Sequence, residues 1–348
     1  MKDVNELIKE YDIPIVEIDE RDYWLVRTQA GEFHEEFYFD NFIAIGWNEF
    51  NNMKDFEQPV NEDYMKSLIA KQYKESKQPG LIYNQIKRFF NELSVGDLVM
   101  IPTMNSTHIS FGRITSPPYI ADVNETDIDE GSCPFQKRMD VEWIKTVKRS
   151  NLDPYLYKMM HSHHTINKAN EYAAFIDRTL HSFYLKNGTA HLVIDIKKKD
   201  NLSGLDFFEF GTNIINLLPE VEKLGFISED FNKRRDVKVK SNVQSPGIVE
   251  FISTVPGAIL GIGIILTFVV GGKVNASFTK EETKAGAESK GLFGLFLEYK
   301  KQKQDHELEK LKLEQNKSME RVNAELPEEL KNLPANGEQE DQDENSSS

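Results

Sequence analysis

Short apolar runs rich in aromatic and β-branched residues recur through the first 150 positions, and they predict β-strands. They cover residues 23–28, 36–40, 42–47, 97–102, 108–114 and 139–144, and Gly, Asp, Asn or Pro bounds each of them. Between the third and fourth runs, apolar residues recur at helical spacing over 64–70 and 81–93. We therefore predict an α+β fold: a mostly antiparallel β-barrel, closed or half-closed, with a helical insertion over residues 1–150.

The rest of the chain predicts smaller elements. Residues 151–188 have helical spacing and are expected to form a helical linker, and 189–247 alternate as a β-α-β unit. Residues 274–324 are polar and predict helix, with an apolar patch at 291–299 expected to dock on an interface or a partner. The acidic, serine-rich tail at 325–348 predicts disorder.

One segment, residues 251–272, is long and contains no charged residue. As a helix it would extend roughly 33 Å, enough for a hydrocarbon core of about 30 Å. It shows no polar stripe, so we predict a transmembrane helix over 248–273, with a buried core helix as the alternative. Gly257 and Gly261 are spaced for close helix packing, which predicts a homo-oligomer formed through this helix.

Composition and charge limit the class of function. The net charge is −15, but the chain from Glu325 onward carries eight acidic residues against one lysine. The mildly acidic body argues against a general polyanion binder, although a local basic groove remains compatible with it. A single cysteine, Cys133, excludes an intramolecular disulfide and a cysteine-rich zinc site. No apolar signal region opens the sequence, so we expect a single-pass protein of the bacterial inner membrane with its N-terminal domain in the cytoplasm.

The order of the runs carries a family resemblance. The segments YWLVRT, IAIGW, VGDLVMIP, SFGRI and RMDVEWI, spread over about residues 20–150, resemble the PUA/EVE-like barrels at the front of Mrr-type restriction-associated proteins. The resemblance implies a module that recognises a nucleotide, a modified base or nucleic acid, and not a catalyst. By analogy with bacterial antiviral defence, it also implies a membrane-anchored sensor and effector.

A base-binding pocket needs flat apolar walls and a few polar groups for the base edge. The candidate walls are Trp24, Trp47, Phe111 and Trp143, and the candidate polar groups are Arg27, Asn48, Asn84, Thr103 and Arg113. The acidic segment at 122–130 would repel a duplex backbone, which favours a nucleotide-sized ligand.

Two alternatives stay open at this point. One is a membrane-tethered nuclease or nuclease subunit that uses Asp195 and Lys197. Asp195-Ile196-Lys197 matches the D-x-K part of a nuclease core, but the sequence supplies no second acidic residue on a preceding strand. A non-catalytic protein-binding scaffold is the other alternative. The histidines at 161, 163 and 164 lack the spacing of a metal site, so no metal, cofactor or catalytic residue is predicted.

Overall fold

Two compact units make up the chain. The computed structural model describes residues 3–57, 62–198, 201–228, 231, 235–242, 247–270 and 291–331. Glu20–Leu180 form the first unit, the half-barrel unit. Met1–Asp19 and His181–Ser348 form the second, the terminal unit, which combines both ends of the chain.

The helices and strands follow one another along the chain in an α+β order. The strands are β1 Val16–Ile18, β2 Tyr23–Val26, β3 Phe42–Ile45, β4 Leu98–Pro102, β5 His108–Ile114, β6 Tyr119–Ile120, β7 Lys137–Lys148, β8 Ile166–Lys168, β9 Phe183–Lys186, β10 Thr189–Ile196, β11 Lys238–Asn242, β12 Gly247–Ser253 and β13 Ala324–Glu325. The helices are α1 Val4–Tyr11, α2 His34–Phe39, α3 Lys54–Glu57, α4 Glu62–Gln72, α5 Pro79–Asn91, α6 Glu125–Asp129, α7 Ala173–Leu180, α8 Gly204–Ile215, α9 Leu218–Lys223, α10 Pro256–Val270, α11 Gly291–Gln302, α12 Asp305–Val322 and α13 Glu328–Lys331.

The half-barrel unit is built on a mixed sheet in the order β3-β7-β5-β4-β2-β8, with β6 paired to β7. Strands β2 and β4 are parallel, and the other pairs are antiparallel. The long strand β7 shifts its register against β5 between Phe111 and Gly112, which is a β-bulge. A bulge of this kind bends a strand and increases its local twist, as a half-barrel requires.

Both faces of this sheet are covered within the unit. Trp24 and Val26 of β2 belong to a core shared with α4 and α5, while Tyr23 and Leu25 belong to a second core with residues of 152–180. Residues 151–180, predicted as part of a linker, therefore supply one layer of this unit. Burial on both faces explains why β2 has no polar position.

The run at 36–40 is a correction to the predicted strands. It lies in α2, which extends over His34–Phe39. Glu35 and Glu36 occupy the first turn, where the helix dipole favours acidic side chains. Five alternating residues are too few to separate a strand from one face of a short helix.

The terminal unit has a sheet in the order β1-β9-β10-β12-β11, and β13 also pairs with β10. The central strand β10 buries Leu192, Ile194 and Ile196 in the main core of the unit. The same core takes apolar side chains from α8, α9, α10, α11 and α12.

The predicted transmembrane helix is wrong. Phe251–Ser253 belong to β12, and within the described part of the segment the helix comprises the 15 residues Pro256–Val270. None of the helices in the described ranges is both long enough and apolar enough to span a bilayer. The predicted single-pass location in the bacterial inner membrane is overturned with it, and positions 271–273 of the predicted span lie outside the described residues.

The helix α10 is apolar on all sides because it is covered on all sides. Its residues from Gly257 to Val269 are buried, and it packs against β10, β12, α9, α12 and α13. A helix of uniform hydrophobicity is typical of a protein core as well as of a membrane. The alternative interpretation of a core helix is therefore the correct one.

Gly257 and Gly261 serve contacts inside the terminal unit. A Cβ atom on Gly257 would lie 2.0 Å from the carbonyl oxygen of Phe226, and one on Gly261 would lie 2.4 Å from a methyl group of Val221. The spacing predicted to join two membrane helices thus lets α10 approach α9 and the turn that follows it.

The apolar patch predicted at 291–299 is also core. Leu292, Phe293, Leu295, Phe296 and Tyr299 of α11 are buried in the main core of the terminal unit. The predicted disordered tail is ordered at its start, where Glu325 ends β13 and 328–331 form α13. Residues 332–348 lie outside the described part.

Candidate functional site: the Trp47 cleft

The backbone at Trp47 adopts a conformation that bulky residues avoid. Trp47 follows β3 after Gly46, its φ angle is 61°, and its side chain is half-buried. A left-handed conformation at a non-glycine residue costs about 1–2 kcal/mol, and bulky residues rarely adopt it. Strained residues of this kind concentrate at functional sites, so Trp47 marks a candidate ligand-binding site.

The buried side chain of Lys137 stabilises this backbone conformation. Its Nζ atom donates to the carbonyl oxygens of Gly46 at 3.0 Å and Trp47 at 2.8 Å, and to Oδ1 of Asn51 at 2.8 Å. The side chain is fully buried. Burial lowers the pKa of Lys137 to about 8, while the negative charge of Glu49 acts in the opposite direction. Three oxygen acceptors in one place are what a buried ammonium needs.

The next two residues are tied to other elements. Asn48 donates to the carbonyl oxygen of Pro134 at 2.7 Å and accepts from the backbone of Gln136 at 3.2 Å. The Glu49 carboxylate accepts from the hydroxyl of Tyr73, and this bond lowers the pKa of Glu49. Residues 46–51, the Trp47 loop, are therefore fixed on both sides.

An open cleft of about 700 Å³ lies beside Trp47. Its volume falls within the range of small-molecule sites, roughly 300–1,000 Å³. The cleft combines an indole, a phenol, an aliphatic side chain, two lysines and one glutamate. It is lined by Trp47, Lys71, Gln72, Tyr73, Lys74, Glu75, Ser76 and Ile82.

Flat rings and ammonium groups are the two features that a nucleotide requires. Rings stack on the base, and lysines meet phosphate oxygens as point charges. Lys71 and Lys74 are exposed, and with Glu75 they leave the lining with a net charge of +1. The two lysines supply the positive charge of the rim, against Glu75 and the Glu49 carboxylate that accepts from Gln72 and Tyr73.

The structure places two of the four candidate walls in the core. Trp24 is fully buried and donates through its indole nitrogen to Oδ2 of Asp97 at 2.8 Å. Phe111 is fully buried in the core that faces residues 152–180. Neither side chain lines a cleft, because the sheet is covered on both faces.

The candidate polar groups do not converge on Trp47. The guanidinium of Arg27 donates to the carbonyl oxygens of Met160 and Ser162, where it fixes a loop, and burial lowers its pKa. Arg113 and Asn84 are exposed on β5 and α5. Thr103 hydrogen-bonds around the turn to His108. Asn48 alone joins the Trp47 loop.

Trp143 lies in a different cleft of the half-barrel unit. Its indole nitrogen donates to the carbonyl oxygen of Phe37 at 3.2 Å, and its ring stacks on Tyr38 at 5.7 Å between centroids. This cleft, of about 660 Å³, is lined by Tyr38, Phe39, Asp40, Asn41, Thr115, Asp140, Val141, Glu142 and Trp143. Three acidic side chains make it a poor site for phosphate.

The nuclease alternative requires a second carboxylate near Asp195, and the structure places one there that two lysines already bind. Glu325 of β13 pairs with Asp195 of β10. Its two oxygens lie 2.8 Å from Nζ of Lys197 and 2.6 Å from Nζ of Lys331. These ammonium groups, Lys197 first, lower the pKa of Glu325 to about 2. A metal ion would have to displace both.

Metal chemistry has no other support among the described residues. No group of three or more His, Cys, Asp or Glu side chains there could hold a metal ion, and the histidines at 161, 163 and 164 form none.

The sequence does not predict the roles of Lys137, which lies beneath the Trp47 loop, and of Tyr73, which lines the cleft. Lys137 stands in a polar stretch, Gln136-Lys137-Arg138, and nothing there indicates a buried ammonium. Tyr73 follows a helix whose sequence predicts only amphipathic packing. The one available signal is that β3 runs directly into Gly46-Trp47, which places an aromatic residue at a strand end.

One comparison bears on these residues. A family model described as a domain of unknown function (DUF8426) matches residues 23–170. No curated protein matches the chain. The matched range lies within the half-barrel unit and includes both clefts, and the PUA/EVE-like resemblance stays a prediction.

Proposed function

We propose that the half-barrel unit is a recognition module that binds a nucleotide, or a single unpaired or modified nucleotide of a nucleic acid, in the Trp47 cleft. The observation that carries the proposal is the half-buried ring of Trp47, which lines the cleft together with Tyr73 and two lysines. Lys137 stabilises the positive φ of the Trp47 backbone by donating to its carbonyl oxygen. A pre-formed stacking surface loses little conformational freedom when a base binds.

The charge of the unit supports a small ligand over a duplex. Helix α6 places Glu125, Asp127 and Asp129 in an exposed acidic stretch, and the Trp143 cleft adds three more acids. Duplex binding depends on neutralising many phosphates, whereas one nucleotide needs only the two rim lysines.

Equilibrium titration of the full chain with mononucleotides, their base-modified forms and a single-stranded octanucleotide tests the proposal. Base stacking contributes about 1–3 kcal/mol, so Trp47→Ala should weaken binding about tenfold or more. Trp143→Phe, which alters the other cleft, should leave the affinity unchanged. Equal losses in both variants, or no binding by any of these ligands, would contradict the proposal.

A second comparison separates base from phosphate recognition. The double variant Lys71→Gln, Lys74→Gln should weaken binding of the nucleotide while leaving that of the matching nucleoside intact.

The role in bacterial antiviral defence implied by the resemblance stays a prediction, and the effector role of a membrane helix is withdrawn together with that helix.

A further inference from the structure

The Trp143 cleft combines a fixed aromatic wall with acidic side chains. The indole of Trp143 is anchored at its nitrogen by the carbonyl oxygen of Phe37, and its face stacks on Tyr38 at an angle of 29°. Phe39 stands at the rim with 73% of its surface exposed. These contacts fix the orientation of the indole before any ligand binds, and they leave Phe39 as the most exposed ring of the cleft.

The charge of the cleft has one sign. Its lining contains Asp40, Asp140 and Glu142, and none of its lining residues is Lys or Arg. Asp140 is oriented by the hydroxyl of Tyr119, which donates to its Oδ1 at 2.7 Å. Its other carboxylate oxygen can accept a further donor.

The arginines nearest in sequence and register leave most of this charge in place. Arg138 stacks its guanidinium over the ring of Phe42 at 4.0 Å and donates to backbone carbonyl oxygens. Arg113 lies opposite Glu142 in the pairing of β5 with β7. Asp40 and Asp140 are the other two acidic residues of the cleft lining, and neither lies opposite Arg113 in this pairing.

We infer that the Trp143 cleft is a second binding site, separate from the Trp47 cleft, and that it takes an arginine side chain of a partner protein. A guanidinium is planar, stacks on aromatic rings and donates to carboxylates in pairs. The cleft offers each of these contacts. An ammonium group would gain the charge but not the stacking geometry.

The size of the cleft indicates a peptide segment around that arginine. Its volume of about 660 Å³ is much larger than one guanidinium group. Asn41 and Thr115 add polar groups that can bond a peptide backbone, and Phe39 adds an exposed apolar surface for a neighbouring side chain. This inference does not depend on the ligand of the Trp47 cleft.

The test is a titration of the full chain with acetyl-Ala-Arg-Ala-amide. The lysine and citrulline forms of the same peptide, and spermidine, are titrated in parallel. Citrulline keeps the shape of arginine but loses its charge, so its peptide should bind at least about tenfold more weakly. Higher salt should weaken the arginine peptide.

Matched variants locate the site. Asp140→Asn keeps an acceptor for Tyr119 and should weaken the arginine peptide about tenfold. Glu130→Gln, with the same change of charge at an exposed position outside the cleft lining, should not. Trp143→Leu should also weaken binding, and Trp47→Phe should not.

Four results would overturn the inference. They are equal affinity for the citrulline and arginine peptides, an equal loss in Glu130→Gln and Asp140→Asn, no peptide binding at millimolar concentration, and binding of spermidine as tight as that of the arginine peptide. The last result would assign the cleft to small polyamines.

Discussion

The Nζ atom of Lys137 lies 2.8 Å from the carbonyl oxygen of Trp47, so a fully buried ammonium group holds the backbone of the proposed ligand-binding residue. The same carbonyl oxygen accepts from the backbone of Phe50 at 3.0 Å. Lys137 is thus a positioning residue, and it stabilises a loop conformation that Trp47 would not adopt by itself.

Replacing Lys137 with methionine should lower the free energy of unfolding of the half-barrel unit, because the Trp47 loop loses its buried donor. The carbonyl oxygen of Gly46 and Oδ1 of Asn51 would lose their buried donor, whereas the carbonyl oxygen of Trp47 keeps its bond from Phe50. Each unsatisfied group costs about 1–3 kcal/mol. The exposed residue Lys148 of the same strand provides the control Lys148→Met. All three tryptophans lie in the half-barrel unit, so urea unfolding followed by tryptophan fluorescence measures this unit. We expect a large loss only in Lys137→Met, and equal losses would contradict the account.

The pKa of Lys137 makes the stability of the half-barrel unit depend on pH. Burial lowers this pKa from 10.5 to about 8. Between these values the unfolded lysine is protonated while the folded one is largely not, so the free energy of unfolding rises with pH. The difference between the wild type and Lys137→Met should therefore increase from about pH 8 to 10.5. A difference that stays constant over this range would show that Lys137 keeps its proton.

The positive φ of Trp47 predicts an unusual order of two variants. Trp47→Ala removes the ring and keeps the strained backbone, whereas Trp47→Gly removes both. Trp47→Gly should therefore be more stable than Trp47→Ala by about 1 kcal/mol, although glycine normally destabilises a folded chain. Both should lose ligand binding. Urea unfolding checks the order, and a less stable Trp47→Gly would show that the loop relaxes away from this conformation.

Five of the six apolar runs predicted as strands are strands of the half-barrel unit, whereas the run at 36–40 lies on helix α2 and the short strands β6 and β8 were not predicted. Sequence patterns could not say which face of a strand would be covered. Phe111 points into a core because residues 152–180 cover one face of the sheet, and Trp24 points into the opposite core, which α4 and α5 cover. The accessibility of Trp47 and Trp143 likewise depends on tertiary packing, which the strand pattern does not predict.

The apolar segment at 251–272 shows another limit. Its composition is the same whether lipid or protein surrounds it, and its apparent length added three residues of β12 to the helix α10. Lys137 shows the opposite case, in which a residue type that is nearly always exposed is buried because three acceptors converge on it.

The glycines of α10 allow a test of the corrected packing. Gly261→Ala would place its Cβ atom 2.4 Å from a methyl group of Val221. Overpacking of this kind costs about 1–3 kcal/mol. The double variant Gly261→Ala, Val221→Ala should recover part of that loss, since it removes the opposing methyl groups.

Gly211 of α8 is the matched control, because a Cβ atom there meets nothing within 4 Å. Gly211→Ala should be neutral or stabilise by up to about 1 kcal/mol. Thermal unfolding followed by circular dichroism covers the terminal unit, which contains no tryptophan in its sequence. Equal effects of the two single variants would contradict the contact between α10 and Val221.

The central claim, that a nucleotide binds beside Trp47, is tested most directly by the indole N–H signals in a ¹⁵N–¹H spectrum. The chain has three tryptophans, and single Trp→Phe variants assign the signals of the accessible Trp47 and Trp143 and of the buried Trp24. A nucleotide should shift the Trp47 signal in a saturable way and leave the Trp24 and Trp143 signals in place. A saturable shift of Trp143 alone, or none at millimolar nucleotide, would contradict the account.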